Sequence, residues 1–152
     1  MKIQKLESLN AFVAVDLENA PGRGILRASK KILQGGAKDL ARSMTYGLAS
    51  LNLKETGISA GISTTPEEKN EAIKTFFEEI SEWENEFTFT AGLGVKSEDT
   101  AEDKPEEKLQ LLAMGTVISA LSAKPNANTA VIDDKILSSF LEKELSDKGI
   151  EI

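Results

Sequence analysis

The sequence predicts an α/β domain. Short runs rich in Val, Ile and Phe alternate with longer segments whose apolar residues recur every three or four positions. Helix-start chemistry opens one of those longer segments, and Gly and Pro punctuate the gaps between elements. A chain of 152 residues buries about two thirds of its unfolded surface, enough for a core without disulfides or metals.

Each element has its own signal. The run AFVAVDL, residues 11–17, is apolar, short and bounded by polar residues, as a buried strand is. GRGILRAS, residues 22–29, is a second and weaker strand, and ENAPGRG between the two has the chemistry of a hairpin turn. Residues 37–53 are the clearest helix, with Leu40, Met44, Leu48 and Leu51 as the expected buried face and Ala37 and Ala41 beside them. Gly47 inside it costs about 1 kcal/mol relative to Ala, which implies close packing against that position. TGISAGIS, residues 56–63, is a strand of small residues.

Thr65-Pro66-Glu67-Glu68 reads as a helix start, with Thr65 as cap, Pro66 in the first turn and Glu68 closing a capping box. Ile73, Phe76, Phe77, Ile80 and Trp83 then form one apolar face, with Trp83 filling the core. Residues 86–95 are a strand running into a glycine-rich loop, and 96–108 a charged loop. The helix at 109–123 is apolar on most sides and is expected to be central. A strand at 128–133, a helix at 134–149 with Leu137, Phe140, Leu141 and Leu145 on one side, and the start of a strand at 150–152 complete the chain, with Gly149 capping the helix.

Composition removes several chemistries. There is no cysteine and no histidine, so disulfides, thiolate metal sites, cysteine nucleophiles and Ser-His-Asp arrangements through Ser43, Ser59 or Ser63 are excluded. A metal would need carboxylates and carbonyls. No run of about 18 apolar residues exists, so neither a spanning helix nor membrane association is expected, and the expected compartment is the cytoplasm. The net charge of −7 is uneven: residues 1–65 hold nine Lys/Arg against five Asp/Glu, and residues 66–108 hold five against fourteen. That balance argues against nucleic acid as a partner.

Three local clusters have a functional and a plain reading. Arg23, Arg27, Lys30 and Lys31 are either an anion site or solvated charges around a turn, and Gly35-Gly36 either holds an anion or makes a turn. Asp99, Glu102, Asp103, Glu106 and Glu107 either attract a cation or form a solvated loop. The plain reading is favoured in each.

Residues 24–62 carry a further pattern. Gly24-Ile25-Leu26-Arg27, then Leu40-Ala41-Arg42-Ser43-Met44-Thr45-Tyr46-Gly47, then Thr56-Gly57-Ile58-Ser59-Ala60-Gly61-Ile62 resemble three blocks of the N-terminal domain of the glutamate/leucine/phenylalanine/valine dehydrogenase family. Residues 91–101 are similar to that family's Ala-Pro-Asp-x-Gly-Thr loop, and the last 25 residues look like the start of its cofactor domain. The resemblance implies a mixed sheet flanked by helices, a dehydrogenase-like N-terminal domain over 1–127, and the opening of a Rossmann unit over 128–152.

It also implies losses. The family's carboxylate-binding lysine falls at Gly47, its carbonyl-polarising lysine at Ser59, and its catalytic aspartate at Leu93 or Gly94. The strand-to-helix turn after residue 132 has no glycine and carries Asp133 and Asp134, which repel phosphate, so no dinucleotide cofactor is expected. A neutral serine cannot supply the charge that steadies an oxyanion. The expectation is therefore a non-catalytic assembly or subunit-interaction protein, with a homo-oligomer or another protein as partner. The alternatives are a fragment or subunit of an NAD(P)-dependent amino-acid dehydrogenase, and a binder of a small anionic amino or keto acid at Arg27, Gly57, Ser59 and Gly61.

Overall fold

Period-two burial is clearest in Gly22–Ser29, where Gly22, Gly24, Leu26 and Ala28 are buried and Arg23, Ile25, Arg27 and Ser29 are half-buried. This is a strand covered fully on one side and partly on the other. A computed structural model describes residues 1–84, 86–100, 105–123 and 135–149. In chain order its strands are β1 (Lys2–Lys5), β2 (Ala11–Val15), β3 (Gly22–Ser29), β4 (Thr56–Ser63) and β5 (Phe87–Ala91). Its helices are α1 (Gln34–Ser50), α2 (Lys69–Ile80), α3 (Pro105–Ala123) and α4 (Lys135–Asp147). The chain divides into two units, residues 1–103 and 104–152.

The first unit holds a mixed five-stranded sheet in the order β1-β2-β4-β3-β5. β3 runs parallel to both β4 and β5, while β2 runs antiparallel to β4 and β1 to β2. The hairpin expected between β2 and β3 is absent, because β4 is inserted between them. The chain does bend over residues 16–20, with Asn19 at φ +65°, but β2 pairs with β4 some 45 residues away.

Handedness places the helices. The step from β3 to β4 moves one way across the sheet, and the step from β4 to β5 moves back past β3. Right-handed crossovers then require α1 and α2 on opposite faces. The packing agrees. Ala37 and Ala41 of α1 cluster with Phe12 and Ala14. Ile73, Phe76 and Ile80 of α2 cluster with Val13, Leu26, Ile58 and Ile62. Phe77 borders that larger core, Trp83 packs against its margin half-buried and does not fill it as expected, and Phe76 meets Phe89 edge-on at 5.5 Å. The Thr65–Glu68 signal is displaced: α2 begins at Lys69, and Thr65 hydrogen-bonds the Glu68 side chain at 3.3 Å instead of capping the helix.

α1 corrects two expectations. Its buried stripe is Ala37, Ala41, Thr45 and Leu48, while Leu40 stays 40% exposed. Nothing packs within 4 Å of a Cβ placed at Gly47.

α1 is tied to the neighbouring strand by charge. Asp16, 3% exposed, accepts a 2.8 Å hydrogen bond from Nε of the half-exposed Arg42. Burial alone raises the Asp16 carboxyl, but the Arg42 and Thr45 hydrogen bonds and the Arg42 charge outweigh it and hold the group below the usual carboxylate range. Ionised Asp16 therefore stabilises the fold above pH ~4, and that contribution fades as pH falls through the lowered value. Replacing Arg42 with Gln removes the Arg42 hydrogen bond and charge and leaves burial opposed mainly by Thr45, so acid unfolding followed by circular dichroism should move to higher pH. An unmoved midpoint would show that the pair contributes nothing.

In the second unit α3 packs on α4. α3 buries Ala113 and Val117 but leaves Leu112 55% exposed, so this helix is not enclosed on all sides as expected. Leu145 is buried on α4, and Gly149, at φ +72°, closes the helix as expected. The strands expected at 128–133 and 150–152 lie outside the described residues. Among the described residues no helix is long and apolar enough to cross a membrane.

Candidate functional site

The α1 side of the sheet collects the residues singled out by sequence. Partners in register share a side, so Arg23, Ile25 and Arg27 of β3 lie beside Gly57, Ser59 and Gly61 of β4, with Thr88 and Thr90 of β5 beyond. α1 covers β4 and β2 closely. It leaves Arg23, Ile25, Arg27, Thr88 and Thr90 only half-buried.

Gly57 and Gly61 give the helix side its close approach. A Cβ on Gly57 would lie 1.9 Å from the Ala41 carbonyl oxygen and 2.5 Å from the Thr45 nitrogen. A Cβ on Gly61 would lie 2.4 Å from the Ile32 side chain. Thr45 exploits this contact: its hydroxyl accepts the Gly57 N–H at 2.9 Å and donates to the Ala41 carbonyl at 3.2 Å. Thr45 did not stand out in the sequence. The available signal was a polar residue four positions after Ala41 on an alanine stripe.

Ser59 is fully buried, and its Oγ accepts a 3.1 Å hydrogen bond from Arg27 Nη2. Arg27 Nε is buried with no hydrogen-bond acceptor. Burial holds this guanidinium below its ordinary range. Arg23 is held differently, by Glu55 at 2.6 and 3.3 Å through two hydrogen bonds. The basic residues grouped by sequence are therefore not one cluster. Arg23 and Arg27 are tied down on the sheet, while Lys30 and Lys31 are exposed past its end.

The large apolar residues of α1 line the flank of this face. Leu33, Leu40, Met44 and Leu51 recur on one side of the helix axis. Arg42 points from the opposite side towards Asp16 of the β2 end, which leaves the leucine flank beside β3. Leu33 is 65% and Leu40 40% exposed. Gly47 lies on the same flank, open to solvent, and Leu93 is 68% exposed in the loop after β5.

The other candidates are dispersed. Gly35 and Gly36 form the exposed first turn of α1. Ser43 is exposed, and Ser63 accepts the Ile32 N–H at 3.2 Å. Asp99 accepts the Lys96 N–H at 2.9 Å, Glu102 and Asp103 lie outside the described residues, and among the described residues no carboxylate group is arranged to hold a metal.

This face can donate hydrogen bonds and present apolar surface. Its carboxylates at the sheet, Asp16 and Glu55, are engaged by Arg42 and Arg23.

No protein-family model matches the chain, and no curated protein does. Solved structures do. L-tryptophan dehydrogenase from Nostoc punctiforme matches over 99% of this chain and 51% of its own, at a TM-score of 0.63 and 18% identity. A hetero-hexameric glutamate dehydrogenase from Thermus thermophilus matches over 93% of this chain and 43% of its own, at a TM-score of 0.56 and 14% identity. Glutamate dehydrogenase from Peptoniphilus asaccharolyticus matches over 93% and 46%, at a TM-score of 0.55 and 14% identity. The chain shares the α/β fold of amino-acid dehydrogenase N-terminal domains and spans about half the length of the structures it matches.

Proposed function

We propose that this chain is a non-catalytic subunit-interaction protein built on the amino-acid dehydrogenase N-terminal fold. One observation carries the reading: the two positions where the resemblance places lysines hold a buried serine bonded to Arg27 and a solvent-facing glycine. Neither a serine hydroxyl nor the guanidinium bonded to it gains or loses a proton near neutral pH, so the pair supplies no general acid or base. Such a group typically supplies about 10²-fold or more in rate.

What the face offers is contact. Leu33 and Leu40 stand exposed on α1, and among the described residues no strand pairs with the outer edge of β1. One similar structure is hetero-hexameric, which supports association as a use of this fold. The test is analytical ultracentrifugation over a hundredfold concentration range, expected to show a dimer or larger species with about 1,600 Å² buried per contact. A monomer of 16.4 kDa at every concentration, with or without the host's own amino-acid dehydrogenase subunits, would overturn the reading.

A second reading rests on the half-length match. The chain would then be the substrate-domain half of an NAD(P)-dependent dehydrogenase, its cofactor half supplied by another polypeptide. Amino-acid-dependent reduction of NAD(P) on mixing this chain with such a polypeptide, absent from either alone, would favour it.

A further inference from the structure

We propose that the crevice outside the carboxyl ends of β3 and β4 binds a small molecule bearing a compact oxyanion. Open sheets with parallel strands bind ligands where neighbouring strands send their connections to opposite faces, because the diverging chains leave a gap between the strand ends. β3 and β4 are such a pair. They are parallel neighbours, β3 leads into α1 on one face, and β4 leads into α2 on the other. The gap is present as a crevice of about 320 Å³, within the small-molecule range.

Its lining is one-sided in charge. Lys30 stands at the end of β3 and Lys69 at the start of α2, with the hydroxyls of Ser29, Thr64 and Thr65 between them; no carboxylate is part of the lining, and the Glu68 carboxylate at its edge accepts from the Thr65 hydroxyl at 3.3 Å. Neither lysine makes an ion pair among the described residues. Two unpaired cations in one recess stand out in a chain of net charge −7. Ammonium groups on flexible stems suit phosphate and carboxylate as point charges, with hydroxyls adding hydrogen bonds. Leu93 and Pro66 supply apolar wall for a short carbon body.

The walls are already in place. The Thr64 N–H donates to the Ser29 carbonyl at 2.9 Å, and the Ala28 N–H to the Leu93 carbonyl at 2.8 Å. Gly94 takes φ +76°, and a Cβ there would lie 2.0 Å from the Ala28 carbonyl oxygen, so the loop after β5 sits directly on β3. A ligand would thus meet preformed backbone and order only two lysine side chains. The crevice is separate from the Arg27–Ser59 pair, and its occupancy does not depend on how the chain associates.

The test is titration of the isotope-labelled chain with inorganic phosphate and with succinate, at constant ionic strength against sodium chloride. Saturable amide shifts confined to residues 29–30, 64–69 and 93–94 are expected. A response to phosphate alone assigns a phosphate ester, one to succinate alone a carboxylate, and one to both the shared oxyanion. A Lys30→Gln/Lys69→Gln variant should bind about tenfold more weakly or worse, since two charge-assisted contacts are removed. Lys30 is exposed, Lys69 is half-buried, and neither makes an ion pair among the described residues, so the variant should fold, which its unshifted thermal midpoint verifies. Shifts no larger than those with chloride, shifts spread over all lysines, or undiminished binding by the variant would overturn the assignment.

Discussion

Replacing Gly57 with alanine should destabilise the first unit by about 3 kcal/mol or more, the upper end of overpacking effects. The added Cβ would overlap the backbone of one helix at two points, 1.9 Å to the Ala41 carbonyl oxygen and 2.5 Å to the Thr45 nitrogen, and would lie 2.8 Å from the Met44 Cβ. Backbone cannot rotate away as a side-chain tip can, so α1 must lift from β4. Lifting stretches the 2.9 Å bond from the Gly57 N–H to the Thr45 hydroxyl, and a buried donor left without a partner costs about 1–3 kcal/mol. It also loosens Ala37 and Ala41 from Phe12 and Ala14. Denaturant unfolding should show a lower midpoint at unchanged slope. Gly47→Ala is the control: it faces open solvent on the same helix, and alanine there should stabilise by up to about 1 kcal/mol. Equal effects at the two glycines would mean that α1 does not press on the sheet.

The same contact explains which parts of the fold were legible in the sequence. β3 and β4 were bounded correctly, since their alternation and small residues are local signals. The α2 face was legible too, because Ile73, Phe76 and Ile80 bury by size and period alone. The α1 face was not. Hydrophobic periodicity weights large residues, and it pointed to Leu40, Met44 and Leu51. A helix pressed on a glycine strand admits small residues at the closest contact, so Ala37, Ala41 and Thr45 go inside, Leu48 is buried further along as expected, and Leu40 is left on the flank. The misread hairpin has a related cause: turn chemistry at 19–22 reports a bend, while the insertion of β4 between β2 and β3 is decided by residues beyond position 55. At the site, the sequence brought Arg27 and Ser59 into one candidate set, and parallel register sets them within hydrogen-bond reach. It did not reveal that Ser59 is sealed or that Arg23 is engaged by Glu55, both of which depend on partners distant in sequence. The crevice between Lys30 and Lys69 was also hidden, because 38 residues and a change of sheet face separate its two lysines.

Ser59→Lys should be among the most damaging single changes in the chain, and its effect bears directly on function. The substitution puts lysine where the resemblance places the carbonyl-polarising residue. In an enzyme site that change would restore a useful charge; here it meets a filled environment. Ser59 has no exposed surface, its hydroxyl is engaged by Arg27 Nη2, and α1 closes over the neighbouring glycine. A protonated lysine would be buried against a guanidinium, while the carboxylates of that face, Asp16 and Glu55, are already engaged by Arg42 and Arg23. Burial and a like charge both disfavour the ammonium form, so its folded pKa must fall below the ordinary ~10.4. The penalty therefore grows as pH falls from that value towards the depressed one, is constant below it, and shrinks again as pH rises. Overpacking adds a part that does not depend on pH, and the total should reach several kcal/mol near neutrality, as for an unpaired buried charge. Chemical denaturation at pH 7 and pH 10 measures both parts. Ser59→Met supplies the volume without the charge and should show the overpacking part alone, equal at both pH values. If Ser59→Lys instead folds with wild-type stability at pH 7, the position is an accommodating cleft and the non-catalytic reading loses its main support.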